Sequence, residues 1–178
     1  MIDYSTKIEK PESGEFASYF KRYIDLVEDD GYILKYLADN LTELTDFCRV
    51  IPEDKYLYRY APDKWTLFDI LQHIIDGERV FSYRALVYAR NDQTVLPSFD
   101  QDAYADRVEA DKRSFNDLLK ELETVRKSSI YLFASFDPED FLLKGKVDSD
   151  KSSVRALAYQ IVGHAKHHIN VYNEKYLK

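Results

Sequence analysis

The sequence is poor in the residues that make turns and crosslinks: its 178 residues include five glycines, five prolines and one cysteine. So small a supply of glycine and proline cannot furnish the many tight turns of an all-β domain. Cys48 is alone and has no partner for an internal disulfide. A secreted domain of this size more often carries an even set, so a reducing cytoplasm is the expected compartment. Long apolar runs are missing as well. No stretch approaches the ~18 residues of a membrane span, and Met1-Ile2-Asp3-Tyr4-Ser5 is not the basic-then-apolar opening of an export signal. No membrane association is expected. Acidic residues number 32 against 25 basic ones, a formal net charge of −7, and neither sign gathers into a run. Without a basic stripe to meet a phosphate backbone, nucleic acid is not an expected partner.

What is present is the composition of a folded domain, 45% hydrophobic and 32% charged. The length suits one domain, 1–178, with a sizeable core. Apolar residues recur every three to four positions over long stretches, which predicts a mainly α fold built on four long helices. A segment around Phe16–Val27 is a candidate for a short extra helix ahead of them. The first long helix is expected after Asp29-Asp30-Gly31, where an aspartate can cap backbone N–H groups, with Pro52 ending it. The second carries the clearest start. Thr66 with Asp69 three residues on resembles a capping box, Trp65 can staple onto Ile70, and the helix is expected to reach about Arg90. A third is readable from Tyr104 or Asp111 to Ser135, stopped by Pro138. Asp137–Ser152 reads as a long connection, and Ser152 or Ser153 can cap the last helix, which runs to about Tyr176.

Three of the four histidines fall on faces turned toward the core. At 100° per residue, positions i and i+4 lie about 40° apart round the axis, so His164 and His168 can reach one target. Measured from Ile161, they project at about −60° and −20°, inside the apolar stripe, whereas His167 at about −120° lies off it. Measured from Ile70, His73 projects at about −60°, with Gly77 one turn beyond it on the same face, where a missing side chain leaves room. Inward histidines can be hydrogen-bonded core residues. Burying several without partners costs on the order of 1–3 kcal/mol each, and a divalent metal taking one nitrogen from each removes that cost. Both readings stand on the angles alone.

At these positions the chain resembles the DinB-like family of metal-binding four-helix proteins. The likeness is carried by Asp63-Lys64-Trp65-Thr66, Leu71-Gln72-His73-Ile74-Ile75-Asp76, Glu78-Arg79, Tyr83-Arg84-Ala85 and Gly163-His164-Ala165-Lys166-His167-His168. It extends from about Tyr23 to Leu177. The resemblance implies an up-down-down-up bundle with long connections, frequent homodimers, and an ion on three histidines with water completing its shell. By motif position the ligands are His73, His164 and His168. Zinc or nickel is the implied ion, and three neutral imidazoles also suit iron(II) or cobalt.

Some members of the resembled family transfer small thiols to electrophiles, and others are thought to hydrolyse such conjugates. The leading expectation is therefore a metal-dependent transferase joining a low-molecular-weight thiol to a small electrophilic substrate. A metal-dependent hydrolase and a non-catalytic metal-binding or stress-response protein are the alternatives. No catalytic residue beyond the ligands can be assigned. Asp69 and Asp76 are candidates to orient an imidazole, though a helix cap and a surface charge are the plainer readings. Glu78 reads as a structural carboxylate. Arg84 shares the face of His73 about 16 Å along the helix, as a substrate anchor or the partner of a carboxylate. Cys48 reads as an inert packed thiol, and the 15 tyrosines and ten phenylalanines mostly as packing.

Overall fold

The computed structural model describes residues 2–177. Its helices are α1 (Lys21–Ile24), α2 (Ile33–Val50), α3 (Leu67–Ala89), α4 (Gln101–Arg107), α5 (Phe115–Phe133) and α6 (Val154–Lys175). A single two-stranded hairpin, β1 (Lys144–Val147) and β2 (Asp150–Ser153), lies between α5 and α6. The four long helices pack in a ring: α3 touches α5 and α6, and α2 touches the same two.

Side-chain pairings give their directions. Arg126 reaches Leu37 and Asn40 while Arg49 reaches Glu123, so α2 and α5 are antiparallel. Gln72 meets Arg113 and Ser82 meets Ser129, so α3 and α5 run parallel. His73 faces His164 and Trp65 bonds Tyr176, so α3 and α6 are antiparallel. The result is up-down-down-up, as the resemblance implies. A parallel pair needs a connection that returns along the whole bundle, and 90–114 supplies it.

The helix ends follow the sequence, with three refinements. Thr66 and Asp69 form the full capping box of α3, with Asp69 N–H on Thr66 Oγ1 at 3.2 Å and Thr66 N–H on the Asp69 carboxylate at 2.9 Å. Ser153, rather than Ser152, caps α6. Ahead of α2, Asp30 accepts the Tyr32 N–H at 3.1 Å, but it lies two positions before the N-cap Tyr32 and does not cap the helix itself. The expected third helix is divided into α4, a 3-10 turn at Ala110–Lys112 and α5, because Ser114 starts a fresh helix by accepting the Asp117 N–H. The connection over Asp137–Ser152 is ordered as a 3-10 turn and the hairpin, onto which Leu96 docks through Leu96 N–H to Lys146 O and Asp148 N–H to Leu96 O, both 3.0 Å.

The core forms two apolar clusters. One holds Leu37, Phe81, Ala85, Leu157 and Ile161, and the other Leu44, Ile70, Ile74, Leu122, Ala165 and Ile169. Buried polar groups lie between them: Glu78, Arg126, Asn40, His73 and His164. Arg126 is fully buried and gives both its Nε contacts to Glu78, at 2.8 and 2.9 Å, tying α5 to α3 and, through Leu37 O and Asn40, to α2. α1 lies directly on α6 because Gly163 has no side chain; a Cβ there would stand 2.0 Å from the Tyr23 carbonyl oxygen. No helix among the described residues is long and apolar enough to cross a membrane.

Candidate metal centre

The junction of the two apolar clusters brings His73 of α3 together with His164 and His168 of α6. One ligand atom from each lies within 4.8 Å of the others. His164 Nε2 stands 2.8 Å from His73 Nε2 and 3.0 Å from His168 Nε2. Aromatic rings wall the cluster: Trp65 against His73 with centroids 4.7 Å apart, and Tyr23 and Phe81 against His164 at 5.2 and 6.0 Å. His167 is outside the cluster, as its angle predicts, but it is half-buried rather than solvated, packing on Tyr23 with its ring 5.3 Å from that of His168.

The environment keeps the three rings neutral. Burial pulls the His73 pKa down to about 4, with His167 adding to the shift. His164 and His168 are held well below the usual value, by burial first and then by the neighbouring histidines. Neutral imidazoles each offer one lone pair and one N–H. The single in-plane lone pair of His164 Nε2 can take a well-formed hydrogen bond from one neighbour, not two, so protons alone do not satisfy the triangle. In addition, His168 Nδ1 is buried without a hydrogen-bond partner.

Three converging neutral nitrogens are a donor set that fits a divalent transition ion. The two spacings from His164 Nε2, 2.8 and 3.0 Å, are shorter than the about 3.3 Å expected between two imidazole nitrogens on one zinc ion. Gly77 keeps this corner open, its nearest neighbour being the His164 ring.

The carboxylates resolve into structural roles. Asp69 caps α3 and pairs with Arg59 at 3.0 Å, and Asp76 accepts from Gln72 at 3.0 Å beside Arg79. Neither bonds a histidine nitrogen, and Glu78 is taken by Arg126. Burial pushes the Cys48 thiol up to about 12, so it is inert.

A pocket of about 390 Å³ opens from His73 and His164, walled by Phe20, Tyr23, Phe81, Phe99 and Leu157, with Arg84 and Gln160 also on its lining. Tyr23 and Trp65 escaped assignment to the site from sequence, since nothing local to either says which histidine it will cover. Gln160 was within reach of the angular reading, being one turn before His164 on the same face.

Comparison with known proteins agrees with this architecture. No curated protein matches the sequence. Among solved structures the chain is similar to YfiT from Bacillus subtilis, described as a probable metal-dependent hydrolase with an unusual four-helix bundle topology. The TM-score is 0.73 at 14% identity, over 97% of this chain and 94% of that one. A family model described as DinB superfamily matches residues 36–171, which contain all three clustered histidines. With most of its length inside that match, the chain belongs to the DinB superfamily.

Proposed function

We propose that this protein is a metal-dependent transferase that joins a low-molecular-weight thiol to a small electrophile, with one divalent transition ion, zinc or nickel first, held by His73, His164 and His168. The observation that carries the reading is the convergence of three neutral imidazole nitrogens at one end of an apolar pocket. An ion so held keeps its full positive charge and an open position, and supplies a place where a thiol or water sheds its proton near neutral pH.

The chain's residues do the rest. Burial keeps the imidazoles unprotonated and available as ligands. Phe20, Tyr23 and Phe81 exclude water and offer an apolar seat for the electrophile. The bond that forms is carbon–sulfur, the bond that breaks is to the leaving group, and the thiol proton passes to solvent.

Thiol transfer is favoured over hydrolysis by the shortage of acid–base groups. Of the residues lining the pocket, Asp150 is the one carboxylate, and it is exposed on the hairpin. Hydrolysis of an ester or amide needs a group to hand a proton to its leaving group, whereas transfer to an electrophile with a weakly basic leaving group such as halide needs none. The description of YfiT supports hydrolysis as the second reading. The same proposal includes a homodimer, which sedimentation at micromolar concentration tests.

The deciding experiment loads the purified, untagged protein with zinc or nickel and follows conjugation of glutathione, cysteine and coenzyme A to monochlorobimane. Metal-loaded protein should accelerate at least one of these reactions, and His73→Ala and His168→Ala should abolish the acceleration. Equal rates for loaded and metal-free protein across the panel would remove the transferase reading and turn the search to ester and amide substrates.

A further inference from the structure

Among the described residues three arginines are buried, and one of them has no carboxylate within ion-pair distance. Arg126 pairs with Glu78 and Arg155 with Glu15. Arg84, 6% exposed, is in no ion pair among the described residues. Its Nη2 donates to the Pro97 carbonyl at 3.1 Å, and its guanidinium lies 5.9 Å from the Phe99 ring centre. A guanidinium has five N–H donors and stays charged at any physiological pH, so leaving it buried with one neutral acceptor is costly.

Two further unsatisfied groups line the same pocket. Gln160 is 1% exposed and its amide Nε2 has no partner, and Ser152 is 9% exposed with an unpartnered Oγ. They come from α6 and β2, while Arg84 comes from α3. Three elements thus deliver unused hydrogen-bonding groups to one cavity, between walls that are otherwise largely aromatic and aliphatic. Of the other charged residues on the lining, Asp150 and Lys151 are exposed and opposite in sign. The Arg84 end of the pocket thus holds a single buried guanidinium, with Asp148 near enough to favour its charged form, and one guanidinium matches a singly charged carboxylate better than a dianionic phosphate.

We infer that Arg84, with Gln160 and Ser152, binds the carboxylate of a small organic acid whose apolar body lies along Phe81 and Leu157 toward the histidines. The inference rests on the reading of this pocket as the substrate site, but it needs no metal. Arg84 lies eleven residues after His73 on α3, about 16 Å along the axis, and its side chain leans back toward the helix start. The acid group and the reacting end of such a substrate would accordingly sit at opposite ends of the cavity.

Isothermal titration of 4-phenylbutyrate and its neutral analogue 4-phenylbutanamide tests this at about pH 8, in zinc-loaded and chelator-stripped protein. The acid should bind the wild type tighter than the amide by about tenfold or more in both forms. Arg84→Gln should erase that preference with an unchanged far-ultraviolet dichroism spectrum. Gln160→Leu should reduce it severalfold, and serves if Arg84→Gln does not fold. Equal affinities, no binding of either compound, or a preference that survives Arg84→Gln would overturn the inference. So would a preference confined to the zinc-loaded form, which would mean that the carboxylate ligates the ion. Failure of the protein to hold zinc would remove the metal-dependent reading while leaving the acid preference of the stripped protein intact.

Discussion

Gly77 faces the ring of His164 so closely that a Cβ added to it would lie 3.3 Å from Cε1 and 3.6 Å from Nδ1. The ring has little room to retreat, since Phe81 and Tyr23 pack against it. Gly77→Ala should therefore displace His164 by a few tenths of an ångström. The alanine gains up to about 1 kcal/mol of helix propensity, so folding stability should change little. Zinc affinity, set by how the imidazoles are oriented, should fall by roughly tenfold. Thermal melts of the metal-free proteins and competition with a chromophoric chelator measure the two effects separately.

The three clustered histidines should be individually indispensable for holding about one ion per chain. His73→Ala, His164→Ala and His168→Ala are each expected to weaken zinc or nickel binding by orders of magnitude, and His167→Ala to leave it near wild type. Trp65 is the one tryptophan of the chain and packs against His73, which makes its emission a natural reporter. Metal should shift that emission in the wild type and in His167→Ala, and not in the other three. Loss of binding in His167→Ala with retention in His168→Ala would reverse the assignment.

Acid should destabilise the metal-free protein through the same rings. The folded state lowers the histidine pKa values below the ordinary 6.5, to about 4 for His73, so below 6.5 the unfolded chain takes up protons that the folded one resists. The stability these neutral rings contribute is fully present above about pH 6.5 and is lost as pH falls toward 4. His73 alone is expected to account for on the order of 3 kcal/mol by that point. Urea titrations at a series of pH values check the window. Mutation of His73 to glutamine should flatten it, and metal affinity should decline over the same range.

The Glu78–Arg126 pair should behave as a buried charge pair whose halves cannot be separated. With Arg126 fully buried, Glu78→Gln leaves an uncompensated guanidinium and should destabilise the fold by about 3–5 kcal/mol. Replacing both, as Glu78→Leu with Arg126→Met, should recover most of the loss, because a well-packed apolar pair avoids the desolvation of two ions. Chemical denaturation of the two variants provides the comparison. A double variant no more stable than Glu78→Gln would show that the contacts of Arg126 with Leu37 and Asn40 matter more than charge balance.

Local chemistry made much of the molecule legible from its sequence. The capping box at Thr66, a serine cap at 152 or 153 and the apolar stripes of α2, α3, α5 and α6 depend on residues within one turn of each other, so their spacing is enough to read them. The inward projection of His73, His164 and His168 follows in the same way from 100° per residue. Less legible was the stretch from Tyr104 to Ser114. The sequence leaves the start of the third helix open between Tyr104 and Asp111, whereas the backbone breaks at Val108–Glu109 and restarts at the Ser114 cap. The hairpin at 144–153 gave no alternating apolar signal, because it holds its register by pairing two short polar strands and docking Leu96 beside them.

The partnering of charged residues was decided only by the tertiary structure. On sequence grounds Arg84 and Arg126 are both arginines on the faces of long helices, and either suits a carboxylate partner. The bundle brings Glu78 to Arg126 across a parallel pair of helices, whereas among the described residues it is the Pro97 carbonyl that accepts from Arg84. Likewise, periodicity turns three histidines inward, but it does not fix how far apart they end up. That distance depends on α3 and α6 running antiparallel with His73 level with His164, and on Gly77 letting the helices close at that height. Direction round a helix is set by local geometry and is carried in the spacing of residues. Height and separation between helices are set by packing contacts from the whole chain, and those exist only once it has folded.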